Sequence, residues 1–277
     1  MPDFSIVTLV KGRRKQLSNL LDSICKSTLM PNDVQIVCMD DPRNILIPPG
    51  LNVEIHWLEK GDNLPLAAAR NMGFDFAKTN RIIFIDADCI VSPTLFGNML
   101  LILSSEKIIS AYPLYLTEVP GSGDFIRLKS HAVSHPARKD ILPGLPVDHL
   151  QFWSLIFAIE KKTFKKIGGF DVNYHGYGAE DTDFAMSFNR AGFYLQFVSD
   201  YVLHQYHHKY NPPVNYFNSI IDNANYYKKK WKVLPMYSWL KAFQKLDLIN
   251  ITESNDIIII RQPSDDLIKK SISLDPY

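Results

Sequence analysis

The first hundred residues alternate between two hydrophobic periods, and this alternation restricts the fold more than any other feature. Segments 14–27 and 64–79 place apolar residues at helical spacing. Before, between and after these segments lie short apolar runs typical of buried strands, namely FSIVTLV (4–10), VQIVCMD (34–40), VEIHWLE (53–59) and RIIFIDA (81–87). Strands separated by helices indicate crossover connections, so we predict an α/β fold with a mostly parallel sheet covered on both faces.

Further predicted strands and helices, separated by irregular segments, follow up to residue 213. Ser92 is predicted to cap a further helix with Pro93 at its first position. Strands are predicted over 152–160 and 194–200, with a helix that begins at Glu180. The Gly-, Pro- and His-rich segment 121–149 is predicted to be a long surface excursion, because long loops in compact domains are usually functional or mobile.

Composition excludes several classes of protein. The 277 residues are 46% hydrophobic and 21% charged, which excludes wholesale disorder, collagen-like fibres and disulfide scaffolds. Lys and Arg number 30 against 29 Asp and Glu, so no bulk charge attracts nucleic acid and no nucleic-acid partner is expected. The three cysteines lie in apolar runs without metal-ligand spacing, and we interpret them as reduced core thiols.

The sequence predicts a cytoplasmic protein. No apolar run reaches the roughly 18 residues of a spanning helix, and the N-terminal charges follow the apolar stretch, the reverse of a signal peptide. The aromatic-basic segment 226–231 leaves peripheral association with the inner membrane surface open. The alternative for this segment is a helix with solvated lysines and buried rings.

Two carboxylates end the fourth predicted strand. Asp86 and Asp88 are separated by one residue, and positions i and i+2 of an extended chain point to the same side. Adjacent carboxylates repel unless a cation lies beside them, and oxygen ligands suit magnesium or manganese. The alternative is a pair of solvated loop aspartates.

A second acidic group opens the helix predicted at residue 180. Glu180 and Asp181 follow a Gly-Tyr-Gly turn, in which Tyr177 offers a flat apolar face for a sugar ring. The helix macrodipole favours carboxylates at this position and is expected to lower their pKa. We interpret Asp183 as an ordinary first-turn acid, and Glu180 and Asp181 as functional.

Histidines cluster late in the chain, where His204, His207 and His208 lie within five residues. Neutral histidine is a common metal ligand, so these side chains are candidates to complete a site with the carboxylate pair. Alternatively they form a solvated or hydrogen-bonded cluster. Which of His204 and His208 would join His207 is left open.

Basic residues also fall at the edge where the strands end. Lys11 and Arg13 follow the first strand, and Arg70 lies in the helix before the Asp86 strand. Ligands of open α/β sheets bind beyond the carboxyl ends of the strands, so Arg13 and Arg70 are candidates for a diphosphate or metal site. Neither a Gly-x-Gly-x-x-Gly motif nor a Walker lysine motif is present, which argues against dinucleotide cofactors and ATP hydrolysis.

Taken together, these motifs resemble those of inverting glycosyltransferases of the GT-A fold. SIVTLVKGR, CMDD, AAARNMG and FIDADC resemble the N-terminal half of the large family-two group. IGGFDVNYHGYGAEDTDFAMSFNRAG resembles the C-terminal motif of β-1,4-galactosyltransferases, polypeptide N-acetylgalactosaminyltransferases and bacterial chondroitin polymerase. The resemblance implies a Rossmann-like GT-A catalytic domain over 1–213, with a nucleotide-binding half (1–100) and an acceptor half (101–213), and a helical extension over 214–277.

The resemblance also assigns roles to individual residues. Asp181 would be the catalytic base, with Glu180 beside it contacting a sugar. Asp88 and His207 would bind the metal. His204 would be a second histidine ligand, although its position matches the family less closely. The nucleotide-sugar would contact Leu9, Lys11, Arg13, Asp41, Arg70, Asp86, Ala87, Trp153 and Tyr177.

The function implied is a metal-dependent hexosyl transfer in polysaccharide biosynthesis. With Mn2+ or Mg2+, a hexose or N-acetylhexosamine would move from a UDP-sugar to a hydroxyl of a glycan or glycolipid acceptor. Tyr177 stands where the family has tryptophan, Ala179 where it has glycine, and Trp153-Ser154-Leu155 where it has a small Gly-Gly stretch. The alternatives are a sugar nucleotidyltransferase and a non-catalytic binding relic of the same fold.

Overall fold

The structure, a computed structural model, describes residues 3–40, 45–58 and 64–277. The helices are α1 Arg14–Cys25, α2 Leu66–Phe76, α3 Leu95–Ile102, α4 Phe125–Leu128, α5 Lys161–Ile167, α6 Glu180–Arg190, α7 Phe217–Trp231, α8 Tyr237–Lys245 and α9 Asp265–Lys270. The strands are β1 Ser5–Val10, β2 Asp33–Cys38, β3 Val53–Trp57, β4 Arg81–Ile85, β5 Cys89–Val91, β6 Lys107–Tyr115, β7 Val133–Ser134, β8 Pro146–Val147, β9 Ile156–Glu160, β10 Tyr194–His204, β11 Lys209–Tyr210, β12 Ile249–Ile251, β13 Ile257–Ile259 and β14 Ile272–Ser273.

The central sheet has the strand order β3-β2-β1-β4-β9-β6-β10-β5, with β7 beside β6 and β8 beside β10. Strands β1, β2, β3 and β4 pair in parallel. Strand β9 is antiparallel to both β4 and β6, while β10 is parallel to β6. Strands β1, β4, β6 and β10 therefore run in one direction and end at one edge. The predicted mostly parallel sheet flanked by helices is confirmed.

Helices cover both faces of this sheet because its strands are apolar on both sides. Helices α1 and α3 pack on one face with Ile6 and Val10, and α2 and α6 pack on the other with Val7. Helix α2 approaches β1 closely, since a Cβ atom on Gly73 would overlap Cγ1 of Val7. The glycine of AAARNMG thus has a packing function beneath the site edge.

Some predictions about local structure are wrong. Helix α3 begins at Leu95, and Ser92 does not cap it; the Ser92 hydroxyl instead donates to Oδ1 of Asp200. Strand β6 has no counterpart among the predicted strands. Segment 121–149 is mostly exposed, as expected of a surface excursion, although it contains α4, β7 and β8 and buries Phe125 and Arg138.

After β10 the chain forms α7, α8, the β12–β13 hairpin and α9, which share a separate apolar cluster around Phe217, Ile220 and Phe243. In the segment 226–231, Tyr227 is buried and Lys230 forms ion pairs, which favours a packed helix over a membrane-binding segment. The domain boundary expected at residue 213 stays a prediction. Across the described ranges, each helix is too short or too polar to cross a bilayer.

Candidate active site

The predicted site residues meet at the edge where β1, β4 and β10 end. Arg13 follows β1, Asp86 and Asp88 follow β4, and His204 is the last residue of β10. Strand β5 turns back after Asp88 and pairs with the end of β10, where Cys89 faces His204 in register. This pairing brings two segments more than a hundred residues apart in sequence into contact.

Asp88, His204 and His207 form one cluster, whose candidate ligand atoms all lie within 4.8 Å of one another. Nε2 of His204 is 3.6 Å from Oδ1 of Asp88, and Nε2 of His207 is 3.7 Å from Oδ2. Nδ1 of His207 lies 3.0 Å from the carbonyl oxygen of His208. A carbonyl can only accept, so Nδ1 carries the proton and Nε2 keeps a lone pair toward Asp88. The His208 side chain is exposed and outside the cluster.

The donor atoms of this cluster fit a divalent cation. Oδ1 of Asp88 and Nδ1 of His204 are buried and have no hydrogen-bond partner within the described chain. Unsatisfied buried polar atoms are costly, and a bound cation would satisfy the carboxylate oxygen. One carboxylate and two imidazoles are a ligand set that binds divalent metals.

The pKa values favour the metal-binding forms. Burial lowers the pKa of His204 to about 4. Burial and the charge of Arg13 lower the pKa of His207, so both rings are neutral at pH 7. Burial would raise the pKa of Asp88, but the nearby His204, Arg13 and His207 outweigh it and hold that pKa below its ordinary value. Metal ligation requires neutral imidazoles and an ionised carboxylate.

Asp86 and Ala87 lie directly beside this cluster. Burial and the charge of Asp88 raise the pKa of Asp86 to about 7, while Arg70 and Arg13 act in the opposite direction. Ala87 is buried in the core beneath the turn. Asp86 and Asp88 thus differ in environment although they lie two residues apart.

The residues predicted for the nucleotide occupy different environments. Arg13 forms an ion pair with Asp88, and Lys11 is exposed beside it. The turn between them is fixed by Asp40, which accepts from the backbone N–H of Gly12 at 2.5 Å. Leu9 is buried in the core, so its side chain has little free surface. Asp41 lies outside the described residues.

The second acidic group begins α6 after a left-handed turn. Gly176, Gly178 and Ala179 all have positive φ, at 75°, 102° and 71°. Glycine adopts this conformation freely and alanine does so at a cost. Ala179, where the resembling family has glycine, therefore holds a strained backbone at the N-cap of α6.

Glu180 connects this helix to the nucleotide half. Its Oε1 accepts from Nη1 of Arg70 at 3.1 Å, and both side chains are buried. The Arg70 guanidinium also lies 5.4 Å from the ring centre of Phe84 and 5.0 Å from that of Phe170. Arg70 therefore links α2 to α6, which was not anticipated from its expected role at the nucleotide.

The expectation that the helix N-terminus lowers the pKa of these acids is wrong for Asp181. Burial and the charge of Glu180 raise the pKa of Asp181 to about 6, against the opposing effects of Arg70 and of backbone hydrogen bonds. Oδ1 of Asp181 accepts from the backbone N–H of Thr182 at 2.8 Å. A carboxylate with a pKa near 6 is ionised at neutral pH and accepts a proton more readily than an ordinary aspartate.

Tyr177, which was expected to offer a flat face to a sugar ring, packs against other aromatic rings. Its ring stacks on Tyr216 at 4.7 Å and on Trp239 at 5.7 Å between centroids. Both partners come from the C-terminal region. Any sugar contact of Tyr177 therefore involves a group of packed rings rather than a lone aromatic side chain.

Asp183 has a structural environment, as expected. It is 1% exposed. Its Oδ1 accepts from Tyr174 at 2.9 Å and from Nε1 of Trp231 at 2.6 Å, and its Oδ2 accepts from Nζ of Lys230 at 2.9 Å. All its partners are protein groups, and two of them lie in α7.

Two aromatic residues complete the edge. Trp153 lies before β9, with its ring 5.0 Å from that of His135. Tyr115 ends β6 and places its ring 5.0 Å from that of His204. Sequence reasoning missed Tyr115 because β6 was not predicted, although the apolar run that it ends is a signal that could have identified it.

Three solved structures share the fold. A GalNAc-T7 structure with UDP, GalNAc and Mn2+ aligns with TM-score 0.55 at 20% identity over 74% of this chain and 43% of that one. S. aureus TarS gives 0.54 at 15% identity over 80% and 64%. The mannosyltransferase PcManGT from Pyrobaculum calidifontis, in complex with GDP-Man and Mn2+, gives 0.56 at 14% identity over 88% and 68%. The chain spans 43% and 64% of the length of the first two structures.

A comparison with curated proteins finds no match. The family model described as glycosyltransferase like family 2 matches residues 51–229, about two thirds of the chain. The matched region contains Asp86, Asp88, Glu180, Asp181 and both cluster histidines. The chain therefore belongs to the glycosyltransferase-like family 2.

Proposed function

We propose that this protein is an inverting, metal-dependent glycosyltransferase that moves a hexose or N-acetylhexosamine from a UDP-sugar to a hydroxyl of a glycan or glycolipid. The observation that carries the proposal is the convergence of Asp88, His204 and His207 at the sheet edge. Family membership supports glycosyl transfer in general. The donor nucleotide, the metal and the inversion are the specific parts of the proposal.

Asp88, His204 and His207 would hold Mn2+, or Mg2+ less well. Two imidazole nitrogens disfavour Mg2+, which prefers oxygen ligands and keeps several waters. The GalNAc-T7 and PcManGT structures contain Mn2+, which supports the same choice here. When bound, the metal supplies positive charge that stabilises the departing diphosphate.

Asp181 would act as the general base. As the acceptor oxygen forms its bond to the anomeric carbon, the carbon–oxygen bond to UDP breaks on the opposite face, which inverts the configuration. The acceptor proton passes to the Asp181 carboxylate, whose raised pKa suits it to receive that proton. The bond to Arg70 holds Glu180 beside it, where Glu180 would contact a sugar hydroxyl.

The nucleotide-sugar would lie along the edge between β1 and β4. We propose that Lys11 and Arg13 contact the diphosphate, Asp86 the ribose or sugar, and Asp41 the uracil. Arg70, Leu9 and Ala87 would support this site from below, and Trp153 and Tyr177 would face the transferred sugar and the acceptor.

The arrangement of the chain follows from this assignment. Residues 1–213 would form the catalytic domain and 214–277 an extension that contacts Tyr177 in the turn before α6 and Asp183 within α6. We further propose action in polysaccharide biosynthesis in the cytoplasm. Peripheral membrane association stays a prediction, for which the buried Tyr227 offers no support.

The test is a product assay with a panel of UDP-sugars, sugar acceptors and Mn2+. We expect free UDP as the product, and its loss when the metal is chelated. The Asp181→Asn variant should lose transfer by at least about a hundredfold yet bind UDP like the wild type. Asp75→Asn, an exposed acid on α2, is the control.

Two results would contradict the proposal. Release of pyrophosphate would indicate a sugar nucleotidyltransferase. If UDP-sugars bind but none in the panel is transferred or hydrolysed, the protein is a non-catalytic relic. Wild-type turnover by Asp181→Asn would refute the assignment of the base alone.

A further inference from the structure

Two cations beside the metal cluster, Arg138 and Lys209, have no function in the proposed reaction. Together with the rings of His135, Trp153 and Tyr277 they form what we call the Arg138 group. Arg138 and His135 lie in the segment between β7 and β8, and Lys209 begins β11. These residues are far apart in sequence and share no motif.

Among the described residues, Arg138 is a buried charge without an acidic ion-pair partner. It is 4% exposed, and its guanidinium carbon lies 3.4 Å from the ring centre of Trp153. Nη1 donates to the carbonyl oxygen of Gln151 at 2.7 Å and to its Oε1 at 3.0 Å, both uncharged acceptors. Nε has no partner, and no ion pair to Arg138 occurs in the described ranges. An uncompensated buried charge costs several kcal/mol, roughly, unless something pairs with it.

Lys209 repeats this pattern. Its Nζ is buried without a hydrogen-bond partner in the part of the chain described, and lies 5.7 Å from the ring centre of Tyr277. The carboxylate of Asp275 lies close enough to interact with this charge but forms no ion pair with it within the described residues. Burial, Arg138 and Lys209 each lower the pKa of His135, which places both cations near that ring.

The Arg138 group is connected to the metal cluster through one ring. The centroid of Tyr115 lies 5.0 Å from that of His204, 5.8 Å from that of His135 and 6.0 Å from that of Tyr277. Trp153, on which Arg138 stacks, is one of the residues proposed above to face the transferred sugar. A sugar held against Trp153 would therefore lie beside the Arg138 group.

We propose that Arg138 and Lys209 form an anion subsite for a carboxylate or phosphate carried by a sugar substrate, separate from the donor diphosphate. This inference rests on the proposed function. The diphosphate would be neutralised at the Asp88 cluster, where Arg13 already lies. Arg138 is connected to that cluster only through the rings of Tyr115, His135 and Trp153 in the described residues, so its charge is available to a second anion. Hydrogen bonds from a guanidinium or an ammonium to a carboxylate or phosphate are stronger than those to a neutral hydroxyl, which would favour an acidic over a neutral sugar.

The acid could be on the transferred sugar or on the acceptor, and two binding assays distinguish these sources. In the first, the affinities of UDP, UDP-glucose and UDP-glucuronic acid are compared by calorimetry with Mn2+ present. In the second, the UDP–Mn2+ complex is titrated with a glucuronic acid-terminated and a glucose-terminated disaccharide. In one of the two assays we expect the acidic sugar to bind about tenfold more tightly.

The variants Arg138→Gln and Lys209→Gln test which residues provide the preference. Each should reduce it to about twofold or less, while UDP alone keeps its wild-type affinity. Lys139→Gln, which removes the exposed neighbouring cation, should retain the preference. If Arg138→Gln does not fold, two parts of the test remain. Lys209 is only half-buried, so Lys209→Gln is expected to fold, and the comparison of acidic with neutral sugars in wild type needs no variant.

Two outcomes overturn the subsite. One is equal affinity of wild type for acidic and neutral sugars in both assays. The other is an equal loss of UDP and UDP-glucuronic acid binding in Arg138→Gln, which would assign the cations to the diphosphate. Failure of wild type to bind UDP with Mn2+ would instead refute the proposed function and the subsite with it.

Discussion

Replacing Asp183 by asparagine tests what holds α6, the helix that carries the proposed base, in place. Asp183 lies two residues after the proposed base and is fully buried, and its partners include Lys230 and Trp231 of α7. The substitution keeps the shape and one acceptor oxygen. It removes the charge that pairs with Lys230. If the new NH2 group takes the position of Oδ2, it is a donor facing the Lys230 ammonium, which is also a donor.

The size of the effect follows from these contacts. Removing one partner of a buried ion pair costs about 3–5 kcal/mol. The Lys230 side chain is 34% exposed and can regain water, which reduces the loss. We therefore expect the free energy of unfolding to fall by about 2–3 kcal/mol, a decrease in Tm of about 4–5 °C for a chain of this length.

Denaturant titration and calorimetry measure this loss, with Asp75→Asn on the exposed side of α2 as the control. The double variant Asp183→Asn with Lys230→Met should lose less than the sum of the two single losses, because the same pair is broken only once. A change in Asp183→Asn below about 0.5 kcal/mol, the usual range for surface sites, would refute the reasoning.

Two further predictions concern the glycines of the helices and the proposed base. Gly73→Ala should destabilise by about 1–3 kcal/mol because its Cβ overlaps Val7. Gly97→Ala in α3, where a Cβ would meet no other atom, should raise the free energy of unfolding by about 0.5–1 kcal/mol. If denaturant titration shows that both glycine variants are stabilised or that both are destabilised, the reasoning is wrong. Because the pKa of Asp181 is about 6, kcat/KM should fall about tenfold per pH unit below that value. In Glu180→Gln this fall should begin at lower pH, and an acidic limb near pH 4 in wild type would contradict the assignment.

The half of the site on β1 and β4 could be predicted because its signals are local. An apolar run followed by Asp86 and Asp88 identifies both the strand and the edge at which it ends. The meeting of Asp88 with the histidines was expected from the family resemblance, and its structural basis is that β4 and β10 end at the same edge. The helix start at Glu180 was readable from its glycine turn and acidic first turn.

The remainder depended on contacts that no local pattern contains. Strand β6 includes Pro113, which is unusual in a central strand and tolerated because it lies beyond the residues that pair with β9. The pKa of Asp181 rises because tertiary packing buries it beside Glu180, which overrides the helix dipole. The rings stacked on Tyr177 come from residues 216 and 239, whose distance in sequence hides the contact.

The most direct test of the account is Mn2+ binding, followed by calorimetry in the presence of UDP. Wild type should bind one ion per chain. Asp88→Asn and His207→Gln should each weaken binding at least about tenfold, whereas His208→Gln, whose side chain is exposed outside the cluster, should not. Wild-type Mn2+ affinity in both Asp88→Asn and His207→Gln would contradict the central claim that these side chains share one divalent ion.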